Sequence, residues 1–213
     1  MARQNRVTPF GDIVTPPAGS PARGDCFGNR GCLHDDAGRI VRQWRSRAWI
    51  TCRLAFKGRR RPLMQPGRYT ELFFLDEATA FAAGHRPCGE CRWHDYQRFR
   101  GCWPALLGRP VAALDAVLQA ERVAAPGRPV PPRARLDGLP DGSFIALDAA
   151  PDRAWLKYGA ALFPWSLDGY GAPMASPPGA TVRLLTPPSL VAVLKRGYRV
   201  DIHVSGPPKG MRG

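Results

Sequence analysis

Gly84-His85-Arg86-Pro87-Cys88-Gly89-Glu90-Cys91-Arg92 sets terms that the rest of the chain has to meet. In a Cys-x-x-Cys spacing, both thiolates reach one ion from a single tight turn, and donors from elsewhere must complete the shell. In a reduced compartment such a pair is a metal or redox site before it is a disulfide. No βαβ pattern leads into it, so zinc is expected ahead of thioredoxin-like chemistry. The flanks fix the frame. Leu72 to Leu75 reads as a strand, Asp76 suits a helix N-cap, the alanines up to Ala83 suit the helix body, and Gly84 suits the position just past its end. After the turn, Trp93, Tyr96, Phe99 and Trp103 recur at helical spacing.

The expected fold class is α+β: a strand-helix-turn-helix zinc knuckle in the N-terminal half, with a small β-rich unit after it. The chain reads as an extended basic arm over 1–24, a zinc-containing nucleic-acid-binding domain over 25–123 and a Pro/Arg-rich linker or loop over 124–140. A small β-rich unit with a helix over 141–206 and a basic tail over 207–213 complete it. The N-terminus lacks a hydrophobic segment and no apolar run is long enough to span a bilayer, so a cytoplasmic protein with no membrane partner is expected. With 213 residues and 44% hydrophobic content there is ample material for a core. A net charge of +14 points to a polyanionic partner, and nucleic acid is the commonest one in the cytosol.

Between residues 39 and 68, ten basic residues fall with no acidic residue among them: Arg39, Arg42, Arg45, Arg47, Arg53, Lys57, Arg59, Arg60, Arg61 and Arg68. Trp44, Trp49 and Phe56 are interleaved with them, the mix that binds single strands or distorted duplexes by stacking plus phosphate contacts. Ile50, Cys52 and Leu54 alternate as the inner face of a half-buried strand, which projects Trp49, Thr51 and Arg53 from the other face. Lys57 to Arg61 is the expected phosphate-binding turn, and Arg30 and Arg86 are further candidates for phosphate contact.

The other dense stretch is Cys26 to Asp36. Gly28-Asn29-Arg30-Gly31 reads as a turn needing positive φ at one or two positions. On a strand, Cys32 and His34 share a face, so either can reach a metal site. Asp35 and Asp36 can orient the histidine or hold a second cation, although an acidic turn before Gly38 is the simpler account. His34, Asp35, Asp36 and His85 are the candidate catalytic residues; for His85, buried packing is the simplest reading. Beyond Arg109, a helix is expected over 111–123. Strands are expected near 142–147, 154–158 and 180–185, with a final helix stopped at Gly197.

Residues 68–92, with the run from Phe73 to the Cys88/Cys91 turn at their centre, resemble the metal-binding N-terminal domain of the Ada adaptive-response protein, which repairs methylated DNA phosphotriesters. The resemblance implies zinc held by Cys88 and Cys91 and a fold that lies on DNA. The Ada-type domain supplies its other two cysteines from an upstream Cys-x-x-x-Cys, which this chain lacks. Upstream of Cys88 stand Cys26, Cys32 and Cys52. Cys52, on the strand that precedes the motif, is the expected third ligand. His34 is favoured as the fourth, with Cys32 next and then Cys26. Over its whole length the chain also resembles a family of bacterial proteins, a likeness that implies no function. The expected function is a zinc-containing DNA-binding protein in DNA repair or processing, acting on single-stranded or damaged DNA. The alternatives are a nucleic-acid enzyme (nuclease, glycosylase or alkyl transfer) and an RNA-binding module.

Overall fold

The computed structural model describes residues 3–20, 24–58, 62–103, 109–123 and 132–207. The fold is α+β, built on two sheets. The first has six strands, β1 (Arg6–Val7), β2 (Ile13–Val14), β3 (Cys26–Asn29), β4 (Ile50–Arg53), β5 (Leu72–Phe74) and β6 (Arg86–Pro87), in the order β2-β1-β5-β3-β4-β6. Between β5 and β6 lies α1 (Glu77–Ala82), followed by α2 (Trp93–Gly101) and α3 (Val111–Arg122). The second sheet holds β7 (Arg133–Arg135), β8 (Phe144–Leu147), β9 (Ala150–Tyr158), β10 (Ala161–Ser166), β11 (Gly169–Tyr170), β12 (Met174–Ala175) and β13 (Thr181–Leu184). Its order is β11-β10-β9-β8-β13-β7, with β12 on β10, and α4 (Pro188–Lys195) follows it.

Helix α1 is where the two halves meet. Every one of its residues is buried. Ala80, with Ala83 just beyond the helix, packs with Cys26, Leu72 and Phe74 of the first sheet. Ala78 and Ala82 pack with Phe144, Leu156 and Phe163 of the second. Phe81 enters a third cluster with Phe99, Leu114, Leu118, Leu194 and Tyr198. A helix touched on all sides needs small residues where sheets approach and one large residue where helices leave room, and its sequence supplies both. Asp76 caps it as expected: its carboxylate accepts from the Thr79 backbone N–H at 2.8 Å.

The cap also ties in the second half. Tyr170 Oη donates to Asp76 at 2.7 Å, and the His203 backbone N–H donates to it at 3.0 Å. Glu77, one residue on, accepts from Tyr198 Oη at 2.9 Å and pairs with Arg92 at 2.8 Å. The 25–123 and 141–206 units therefore share one core and a buried polar seam.

Three other boundaries change. Residues 6–14 of the expected arm include β1 and β2, with β1 paired to β5 and β2 at the edge of the first sheet, and Val7 and Ile13 are in its core. In the expected linker, the described part forms β7, paired with β13, and a short 3-10 turn that buries Leu136 completely; residues 124–131 lie outside the described residues. Gly28 belongs to β3, where a methyl group would sit 1.9 Å from the Ile50 carbonyl oxygen, so close strand approach demands the glycine. The positive φ in that stretch falls at Gly31.

Candidate metal centre and basic surface

Strands β4 and β6 pair in parallel, with Ile50 opposite Arg86 and Thr51 opposite Pro87. The Cys88 backbone N–H extends the ladder by donating to the Thr51 carbonyl at 2.9 Å. That register lays Cys52, at the end of the buried part of β4, beside the turn that carries Cys88 and Cys91. The three sulfurs all lie within 4.8 Å of one another. Zinc at a Zn–S distance of about 2.3 Å in tetrahedral array sets its sulfurs about 3.8 Å apart, so the donor set fits the ion. The sulfurs already interact. Hydrogen bonds from the Cys52 and Cys91 thiols, helped by the Glu90 backbone N–H at 3.4 Å, hold Cys88 far below the ordinary thiol range. Donation to Cys88 pushes Cys52 up.

No fourth donor joins the cluster among the described residues. Every Cys, His, Asp and Glu of the chain is described. His34, the favoured fourth ligand, is elsewhere: its Nδ1 is 2.6 Å from Thr70 Oγ1 and its Nε2 is 3.2 Å from the Gln65 carbonyl. A carbonyl can only accept, so Nε2 carries the proton and Nδ1 accepts from the threonine hydroxyl. Both nitrogens are engaged in pinning the 62–70 loop, which leaves no lone pair for a metal. Cys32 Sγ contacts the His34 carbonyl at 3.7 Å, outside the cluster. Cys26 sits on β3, opposite Arg53 and Phe74, also outside it.

The catalytic candidates do not converge. Asp35 closes its own turn, accepting from the Ala37 and Arg39 backbone N–H groups and from the Arg39 guanidinium at 2.8 Å. Asp36 faces solvent. His85 is fully buried between Trp49 and Phe74, with Nε2 accepting from Arg30 Nε at 3.3 Å. Burial, then the charges of Arg30 and Arg122, keep it neutral well below its usual range. Packing and positioning describe it.

The basic candidates divide. Arg42, Arg45, Arg47, Arg53 and Lys57 are exposed, and Val41 and Trp44 emerge among them. Arg59, Arg60 and Arg61 lie outside the described residues. Three candidates are inside the protein. Arg86 forms a buried bidentate pair with Asp115 of α3 at 2.7 and 2.8 Å. Trp49 is buried and donates its indole N–H to the Ser46 carbonyl at 2.9 Å, which removes it from base stacking. Arg30 lies with its guanidinium carbon 4.0 Å from the centre of that indole ring, and Arg122 lies 4.4 Å from it. Leu54, expected in the core, is 49% exposed, while Thr51 is fully buried.

Arg122 was not among the expected site residues. Its one signal was Gly84, where a methyl group would stand 2.4 Å from Arg122 Cδ, so the glycine that ends α1 also gives the arginine passage. No helix among the described residues is long and apolar enough to cross a membrane. No protein-family model, curated protein or solved structure matches the chain.

Proposed function

We propose that the protein is a zinc-containing DNA-binding protein acting in DNA repair or processing. The observation that carries this reading is the three-thiol cluster at the end of β4, on the strand that continues into the exposed basic segment. Zinc held by Cys52, Cys88 and Cys91 would brace that strand against the turn. Arg42, Arg45, Arg47, Arg53 and Lys57 offer phosphate contacts without opposing carboxylates in the segment, and Trp44 offers a ring for stacking.

Fluorescence anisotropy across a salt series tests it. Each phosphate contact on duplex contributes about −0.9 to the slope of log affinity against log salt, and about −0.7 on single strands. Replacing Arg42, Arg45 and Arg47 together by Gln is expected to flatten the duplex slope by about 2 to 3 and to weaken all sequences alike. Binding untouched by the triple change defeats the reading. Matched RNA and DNA strands decide which polymer is preferred.

The donor count supports a second reading, an alkyl-transfer enzyme. Three protein ligands leave a fourth position to solvent or substrate, as catalytic zinc does, whereas structural zinc is closed by four. Incubation with DNA carrying methyl phosphotriesters, followed by peptide mass spectrometry, separates the two. A methyl group on Cys52, Cys88 or Cys91 supports transfer, and unmodified cysteines with intact binding leave the metal structural.

A further inference from the structure

We propose that the cleft where the two halves meet binds a nucleoside phosphate, with the phosphate on Arg30 and Arg122 and the base against Trp44. The cleft has a volume of about 820 Å³, within the range of roughly 300–1,000 Å³ typical of small-molecule sites. It is far larger than a lone phosphate requires.

Its inner wall is cationic and incompletely satisfied. Arg30 is 1% exposed; Nη1 donates to the Gly11 carbonyl at 2.9 Å and Nε to His85, while Nη2 has no partner. Arg122 donates from Nη2 to the Arg47 and Asp115 carbonyls at 3.3 and 3.4 Å, and its Nε and Nη1 have none. Arg183 Nε, on the same cleft, is likewise without a partner. Buried charged donors are rarely left unmade, and each such group calls for an explanation.

Repulsion sharpens the point. Burial and then the neighbouring Arg122 charge lower Arg30 to about 9, so both guanidiniums stay charged at neutral pH with no carboxylate paired to either among the described residues. An oxyanion between them supplies acceptors for those donors and cancels the repulsion at once. The cleft's carboxylates do not replace it. Glu121 is taken by the Ser189 hydroxyl at 2.6 Å, and Asp12 and Asp152 are exposed. Asp12, beside the Gly11 whose carbonyl Arg30 bonds, offsets part of the Arg30 charge from a distance, and Asp115 and Glu121 do the same for Arg122, but none of them bonds the open donors. Trp44, lining the same space at 39% exposure, presents an indole surface suited to a base.

The test uses the full chain purified with its metal. Calorimetric titration and thermal shift would compare the four common nucleoside 5′-monophosphates, the matching nucleosides, inorganic phosphate and a five-nucleotide single strand at constant ionic strength. At least one monophosphate is expected to bind and to raise the melting temperature. Its nucleoside and inorganic phosphate should each bind at least about tenfold more weakly. Arg122→Gln should cost a further factor of about ten or more, Trp44→Ala several-fold, and Arg199→Gln, on the surface away from the cleft, nothing. Should Arg122→Gln fail to fold, Arg183→Gln carries the same expectation. Tight binding of the oligonucleotide with weak binding of monophosphates identifies the ligand as a nucleotide within a strand. Failure of every phosphate-bearing probe at millimolar concentration overturns the proposal. So does equal binding of nucleoside or inorganic phosphate, or indifference to the cleft substitutions. The surface-charge experiment above has a separate readout, so either idea can fail alone.

Discussion

Cys52→Ser is the perturbation that interrogates the metal centre most directly, because Cys52 reaches it from a different strand than the Cys88/Cys91 turn. Structural zinc contributes about 10–16 kcal/mol of apparent binding free energy in small peptides. Shared over the four ligands of such peptides, the loss of one thiolate costs about 2.5–4 kcal/mol, or roughly two to three powers of ten in affinity. Competition against a chromophoric chelator would read that shift, and elemental analysis would give the stoichiometry, expected at about one zinc per chain. Since the ion would tie β4 to the turn after β6, most of the loss should also appear as stability. At about 2–4 °C per kcal/mol for a chain of this size, the melting temperature should fall by about 5–16 °C. Cys26→Ser, one strand away and outside the cluster, is the matched control and should keep its metal. Wild-type affinity in Cys52→Ser, or a folded wild-type protein free of metal under reductant, would refute the assignment.

Two further substitutions test the interior. Asp115→Ala strands the Arg86 guanidinium in a buried site and should cost about 3–5 kcal/mol by denaturant titration, while the double change Arg86→Met with Asp115→Leu should recover most of it. His34→Ala should leave zinc in place and cost about 1–3 kcal/mol, because it unpins the loop at Thr70 and Gln65.

Local signals carried a good part of this fold. The Asp76 cap, the alanines of α1, Gly84 at positive φ and the spacing of Tyr96 and Phe99 depend on nearest neighbours along the chain, and each is realised. The meeting of Cys52 with the knuckle was legible because strand, helix and turn leave few places for the preceding strand. Burial on both faces was not legible. Both faces of β4 are packed, so Trp49, Thr51 and Cys52 are all buried and the expected alternation of Ile50, Cys52 and Leu54 does not hold. Charge was harder still. An arginine in the sequence reads as surface, and only the tertiary pairing of Arg86 with Asp115, or the stacking of Arg30 on Trp49, brings it inside. The same limit applied to His34, whose partners lie about thirty-odd residues away, a separation local patterns do not encode.

The ladder between β4 and β6 links the two features that matter most. At one end stand Cys52, Cys88 and Cys91; at the other, the Arg86 backbone N–H donates to the Trp49 carbonyl at 3.1 Å, next to His85 and Arg30. The paired register is short, only Ile50 with Arg86 and Thr51 with Pro87, so two strands of this length hold together through what clamps their ends. Metal at the cysteine end would supply one clamp, and the packing of Trp49 with Arg30, Arg122 and His85 supplies the other. Stripping the ion with a thiol reagent and chelator should therefore raise amide hydrogen exchange first at residues 49–52 and 86–91. The seam of Asp76 and Glu77 with Tyr170 and Tyr198 should stay protected until global unfolding. Loss of protection starting in the second sheet, or spread evenly over the chain, would show that the ladder is held by the surrounding core and that the cysteines do not brace it.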